Sequence, residues 1–218
     1  MTDETDLVLG IDEAGRGPIL GPMAIAVVGL DPAAEAALRE LGVADSKSFG
    51  SDAAARERRR ELAVRIRERV PACRMRLVEV EEIDHYTFRG KLNALERRVV
   101  LELLQALGAA RTARVICDGA RLFAPLRANF PRLEALDRGE SAHLAVAAAS
   151  IVAKDARDRA FEVIAGRYAE EYGLVSGGGY LNAATRRFLR AYEERHGALP
   201  PEARRSWGAD KGANLSLF

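Results

Sequence analysis

Two adjacent carboxylates, Asp12 and Glu13, end an apolar run from Leu7 to Ile11, where packing gives no reason to put charge. Carboxylates are seldom buried unless paired or bound to a metal. Gly15, Gly17 and Gly21, with Pro18 and Pro22, follow at once. That composition turns the backbone tightly and lets it approach a ligand closely. Arg16 lies between two of the glycines. Together these residues suggest a divalent-cation site beside a loop that meets a phosphate backbone. The plain alternative is a turn capped by two acids. A dinucleotide-binding turn fits poorly: its third glycine would fall three residues after Gly17, where Leu20 stands.

The pattern recurs. Arg114 to Cys117 reads as an apolar strand that delivers Asp118 at its end, with Gly119 next. Strand ends in mixed sheets are where sites gather, although an aspartate before glycine also suits an ordinary turn. Further on, Asp155, Asp158 and Glu162 are spaced i, i+3 and i+7 and lie near one face of a helix. Spacing does not choose among them. No His or Cys cluster offers a zinc site or a rival nucleophile. Cys73 and Cys117 lack metal-site spacing and read as small buried hydrophobes; His85 reads as an ordinary surface or half-buried residue, and His143, upstream on the long helix, as structural. Oxygen ligands with room for water favour Mg²⁺ or Mn²⁺.

The elements that must position these acids can be read from periodicity. Leu7–Ile11 and Met23–Leu30 suggest a hairpin; Pro32–Leu41 is alanine-rich and helical; Ala53–Val70 is a basic helix. From Arg56 to Arg76 nine arginines face three glutamates, which usually marks a solvated face. Met75–Val80 alternates as a half-buried strand. Glu81–Leu107 carries apolar residues at helical spacing, with a break at Gly90 and a stop at Gly108. A long alanine-rich helix runs within Ser141–Tyr172, and another helix covers Ala183–His196.

At 218 residues the chain can bury a sizeable core. Hydrophobic content of 48% and charged content of 30% are those of a soluble globular protein. The longest apolar runs fall far short of a membrane span, and the acidic start, Met1–Asp6, is no secretory signal. A cytoplasmic location is expected. The net charge of +1 gives no global attraction to nucleic acid, so such binding must use local patches.

Ile11-Asp-Glu-Ala-Gly-Arg-Gly-Pro18 resembles the signature of the type 2 ribonucleases H, specifically ribonuclease HII. Ala147–Arg159 is a second dense match, Asp45-Ser-Lys47 resembles a family motif near the substrate backbone, and Leu92-Asn-Ala-Leu-Glu96 and Arg204-Arg-Ser-Trp207 also echo family segments. Departures are Asp155-Ala156 in place of Val-Thr, and Glu140 where aspartate is common. The resemblance implies a ribonuclease H-like α/β fold, a mixed sheet flanked by helices. Its expected divisions are a catalytic core over 1–175, a small helical substrate-gripping part over 176–210, and a flexible tail over 211–218.

For function, the resemblance implies an endonuclease that hydrolyses the RNA strand of RNA–DNA hybrids. It also implies cutting 5′ to ribonucleotides embedded in duplex DNA, leaving 3′-hydroxyl and 5′-phosphate ends. Asp118 becomes the third metal-site carboxylate, and the match of Arg157-Asp-Arg159 selects Asp158 as the fourth, alongside Asp12 and Glu13. Two Mg²⁺ or Mn²⁺ ions are expected with substrate bound. Gly15, Arg16 and Gly17 are suited to sense the 2′-hydroxyl. Lys47 and Lys154 are candidate phosphate contacts, and Tyr180, in the Ser176-Gly-Gly-Gly-Tyr180 turn, a ribose contact. The tail Asn214-Leu215-Ser-Leu217-Phe218 looks like the peptide with which bacterial replication proteins dock on the sliding clamp, with asparagine in place of glutamine. The protein is expected to act as a monomer, away from membranes. Two other readings stay in view: a junction resolvase or DNase of the same fold, which would cut all-DNA substrates, and a non-enzymatic adaptor, which would bind without metal or turnover.

Overall fold

Five strands form one mixed sheet: β1 (Val8–Ala14), β2 (Met23–Leu30), β3 (Ala72–Val78), β4 (Arg114–Asp118) and β5 (Leu133–Leu136), in the order β3-β2-β1-β4-β5. The computed structural model describes residues 7–43, 50 and 52–209. β1 and β2 are the expected antiparallel hairpin, with Gly10 opposite Val28 and Asp12 opposite Ala26. The ladder continues to Ala14 opposite Ala24, so Asp12 and Glu13 lie inside β1 rather than beyond its end. β4 runs parallel to β1, with Ile11 opposite Cys117, and β5 is parallel to β4. β5 has no counterpart among the sequence expectations, and β3 begins three residues earlier than its alternation suggests.

The helices are α1 (Pro32–Glu40), α2 (Ala53–Arg69), α3 (Val80–Thr87), α4 (Leu92–Ala106), α5 (Ala120–Phe123), α6 (Gly139–Ala142), α7 (Leu144–Tyr172), α8 (Ala183–His196) and α9 (Ser206–Ala209). Their starts follow local chemistry. Asp31, Asp52 and Asn182 cap α1, α2 and α8 by accepting from the amides of Ala34, Ala55 and Thr185 at 2.7, 2.8 and 2.9 Å. Gly90, at φ +63°, separates α3 from α4 as its position suggests. His143 is a correction: it is extended backbone between α6 and α7, not part of the long helix.

Sheet and helix meet most closely at Gly10. A β-carbon built there would lie 2.1 Å from the backbone carbonyl carbon of Ala145, so only glycine lets α7 settle on β1. The buried alanines of α7, from Ala145 to Ala149 around Val146, keep the same contact close. Among the described residues, no helix is long and apolar enough to cross a membrane.

The chain divides into two compact units that do not follow a cut at residue 176. The first gathers the described residues among 1–14, 24–76 and 96–155, including most of the sheet. The second gathers those among 15–23, 77–95 and 156–218. Its core is Ile19, Leu20, Phe161, Ile164, Tyr168, Phe188 and Leu189 with their smaller neighbours. The glycine-rich loop therefore belongs to the second unit although it directly follows β1 in the chain.

Candidate active site

In the first unit, β1 and β4 run parallel side by side and bring Asp12, Glu13 and Asp118 to one end of the sheet. Asp12 is only 5% exposed. Burial, then the charges of Glu13 and Asp118, push its carboxyl up to about 8 from an ordinary 3.8, while the Ser150 hydroxyl and the Glu13 amide offset part of the rise. One oxygen of each aspartate is held by backbone. Asp12 Oδ1 accepts from the Glu13 amide at 2.8 Å, and Asp118 Oδ1 from the Gly139 amide at 3.0 Å. Among the described residues, no three His, Cys, Asp or Glu side chains stand together as a ready-made metal cage.

The chemistry of this donor set suits a hard divalent cation. A carboxyl lifted to about 8 by burial and like charges is one whose ionised form a nearby cation would restore. Cys117, on the same strand as Asp118, supplies no rival chemistry. Its thiol is pushed far up by burial and by the charges of Glu13 and Asp12, so it is not a thiolate at neutral pH.

Around the acids, Glu140 accepts from Ser150 Oγ at 2.9 Å and from Lys154 Nζ at 3.3 Å. Lys154 is thus ion-paired and half-exposed. The three acids on α7 now separate. Asp155 is buried and pairs with Arg67 of α2 at 3.4 Å, which gives it a structural role. Glu162 is exposed. Asp158 is half-buried, in the second unit, next to Arg157, whose guanidinium it favours electrostatically.

The second unit is built around the Gly15-Arg16-Gly17 loop. Arg204, with no exposed surface, donates from Nη2 to the Gly15 carbonyl at 2.6 Å, from Nη1 to the Arg16 carbonyl at 3.0 Å and from Nε to the Gly21 carbonyl at 2.9 Å. The Trp207 indole donates to the Gly17 carbonyl at 3.1 Å, and its ring lies 4.9 Å from the Arg204 guanidinium. Arg157 donates to the carbonyls of Leu20 and Gly178, both at 2.8 Å. Gly15 has φ +82°, and a β-carbon there would fall 2.7 Å from the Arg157 side chain. Tyr180 is 56% exposed, its Cε1 3.2 Å from where a side chain on Gly17 would start. Arg16 Nη2 donates to Asn93 Oδ1 of α4 at 2.6 Å.

Sequence reasoning placed Gly15, Arg16, Gly17 and Tyr180, and the structure brings them together. It missed Arg157 and Arg204 as the buried donors that hold the loop, because arginines in a charged chain read as surface. The Arg204-Arg-Ser-Trp207 segment was the available signal. Lys47, Asn214, Leu215, Leu217 and Phe218 lie outside the described residues.

Residues 9–209, which span both the acidic strand ends and this loop, match the family model described as Ribonuclease HII. The chain belongs to the ribonuclease HII family. A ribonuclease HII of Caldivirga maquilingensis is 37% identical over 218 residues, covering 97% of each chain. Among solved structures, the ribonuclease H2 from Pyrococcus horikoshii OT3 aligns with a TM-score of 0.76 at 29% identity, covering 94% of this chain and 96% of that one. A ribonuclease HII from Archaeoglobus fulgidus, solved in a complex with PCNA, aligns with a TM-score of 0.74 at 30% identity, covering 92% and 95%. The mixed sheet flanked by helices is the ribonuclease H fold expected from the resemblance. As a ribonuclease HII the protein is a metal-dependent endoribonuclease, a hydrolase that acts on the RNA strand of RNA–DNA hybrids.

Proposed function

We propose that this ribonuclease HII cuts 5′ to a ribonucleotide, both in RNA–DNA hybrids and at ribonucleotides embedded in duplex DNA, leaving 3′-hydroxyl and 5′-phosphate ends. The observation that carries this reading is the Asp12 carboxyl, buried in β1 and pushed up to about 8 by burial, Glu13 and Asp118, three residues before a glycine-flanked loop. Asp12, Glu13, Asp118 and Asp158 are the proposed ligands of Mg²⁺ or Mn²⁺. Held by these carboxylates, such ions would activate a water and offset charge on the leaving oxygen. The reaction then forms a bond from water oxygen to phosphorus and breaks the bond from phosphorus to O3′, which leaves protonated.

The chain's own residues orient and select. The Glu13 and Gly139 amides each hold one oxygen of Asp12 and Asp118, which fixes the direction of the other. Gly15, Arg16 and Gly17 read the 2′-hydroxyl that alone distinguishes ribose from deoxyribose. Tyr180 offers an exposed ring to a sugar, while Lys154 and Lys47 contact phosphate. Asn214, Leu215, Leu217 and Phe218 are proposed to dock on a sliding clamp. The tail's likeness to a clamp-binding peptide supports this, and so does the relative solved with PCNA. Deleting residues 214–218 is expected to abolish clamp pull-down while sparing cleavage of short duplexes. Unchanged pull-down would refute the docking. The protein is proposed to work as a cytoplasmic monomer.

The test pairs a duplex carrying one ribonucleotide with its all-DNA twin, each with Mg²⁺, Mn²⁺ or EDTA. Cleavage of the first alone, with a divalent ion, is expected, and end-labelling should give a 3′-hydroxyl and a 5′-phosphate. Cutting of the all-DNA twin would favour a resolvase or DNase, and metal-independent binding without turnover would favour an adaptor.

A further inference from the structure

We infer that Arg204, with Trp207, is the positioning residue for sugar discrimination: it sets the conformation of the Gly15–Gly17 loop, so that losing its fork of hydrogen bonds weakens the preference for ribose before it weakens duplex binding in general. This deepens the functional reading above and rests on it.

A fully buried guanidinium is costly unless its donors are satisfied. Arg204 satisfies its own on three carbonyls, those of Gly15, Arg16 and Gly21, which span both ends of one turn of loop. A planar fork with fixed donor directions holds several acceptors at once, which lysine cannot do. Trp207 adds the next carbonyl, Gly17, and packs its ring against the same guanidinium. Every carbonyl of the Gly-Arg-Gly triplet therefore accepts from this one short segment near the C-terminus.

The segment is itself anchored. The Arg204 amide donates to the Ile19 carbonyl at 2.8 Å, and the amides of Arg205 and Ser206 donate to the Asp84 carboxylate at 2.9 and 3.1 Å. On the other side Arg157 fills the space beside Gly15 and holds Leu20 and Gly178. A loop fixed at so many points is pre-organised. A 2′-hydroxyl then meets backbone groups whose ordering cost has already been met in folding. A merely structural Arg204 would instead stabilise the unit without touching selectivity.

Trp207 is the chain's single tryptophan, so its emission reports on the loop directly. The experiment uses the full chain, Arg204→Lys, which keeps the charge without the fork, and Trp207→Phe, which keeps a ring without the N–H donor. Circular dichroism melting establishes that each variant folds. Affinities for the one-ribonucleotide duplex and its all-DNA twin are measured in EDTA, and kcat and KM with Mg²⁺. Arg204→Lys is expected to lose on the order of 100-fold in kcat/KM on the ribonucleotide duplex, and its affinity ratio between the two duplexes is expected to fall toward one. Trp207→Phe should move the same way by less. In the wild type the ribonucleotide duplex should shift Trp207 emission more than its twin does, and Arg204→Lys should erase that difference. An unchanged affinity ratio in Arg204→Lys, or equal losses on both duplexes, overturns the inference and leaves the functional reading intact. A wild type that does not cut the ribonucleotide duplex overturns the functional reading instead.

Discussion

In the first unit the buried carboxyl of Asp12 sits among like charges, whereas in the second the buried guanidinium of Arg204 sits among carbonyls that accept every direction of its fork. Both groups are deeply buried, and both are shifted toward neutrality by desolvation, Asp12 upward and Arg204 down to about 9. Their surroundings differ in what they lack. The acidic strand ends gather carboxylates whose ionised form an added cation would favour, while the arginine-held loop is complete within the chain. One region is built to be finished by a ligand, and the other is built to keep its shape.

The largest expected effect is on the acidic side. Asp12→Asn and Asp118→Asn should each lower cleavage on the order of 10³-fold or more, read as kcat at saturating Mg²⁺, with melting temperature unchanged or raised because repulsion is removed. Asp158→Asn should lose activity comparably. Near-normal turnover in any of these would break the comparison at its acidic half.

Next comes the loop. Gly15→Ala imposes a φ of +82° on an alanine and drives its β-carbon to 2.7 Å from Arg157. It should cost about 1–3 kcal/mol of stability and lower kcat/KM on the ribonucleotide duplex on the order of 10- to 100-fold. Gly10→Ala tests the scaffold alone. Its β-carbon would overlap the Ala145 backbone, so α7 must move, and denaturant unfolding should show a loss of about 3 kcal/mol or more.

A subtler effect is on pH. The folded Asp12 carboxyl is raised from 3.8 to about 8, so its burial favours the protonated form. In the metal-free protein its contribution to stability is fully present below about pH 4 and is lost as pH rises through about 8. Melting with EDTA should therefore fall over that window more steeply in the wild type than in Asp12→Asn. Mg²⁺ or Mn²⁺ should recover the loss at the alkaline end only in the wild type. The smallest effects are expected at Lys154→Ala and Tyr180→Phe, a few-fold in KM for each, because Lys154 already pairs with Glu140 and the Tyr180 ring is kept.

These regions also differ in how far they could be read beforehand. The β1–β2 hairpin, β4 and the Gly90 break follow from apolar runs and a left-handed glycine, which are local signals. β5 escaped because Leu133-Glu-Ala-Leu136 has four residues and no β-branched side chain, and it is a strand only through pairing with β4. The acids announced themselves because charge at the end of an apolar run is anomalous. The loop's glycines were legible too, but not Arg157 and Arg204. What buries an arginine is the tertiary set of carbonyls around it, and nothing in its neighbours' identities states that. The C-terminal part likewise reads as continuous from 176, yet its unit recruits residues 15–23 and 77–95, since hydrogen bonds from Arg204 to Gly15 and from Ser206 to Asp84 cross long stretches of sequence.

For this mechanism the strand ends of β1 and β4 must hold a divalent cation. Crystals equilibrated with Mn²⁺ and measured at its absorption edge test this directly. An anomalous peak in direct contact with the carboxylate oxygens of Asp12, Glu13 and Asp118 is the predicted result. Mn²⁺ bound elsewhere, with these three carboxylates uncoordinated in a protein that still cleaves with Mn²⁺, would contradict it.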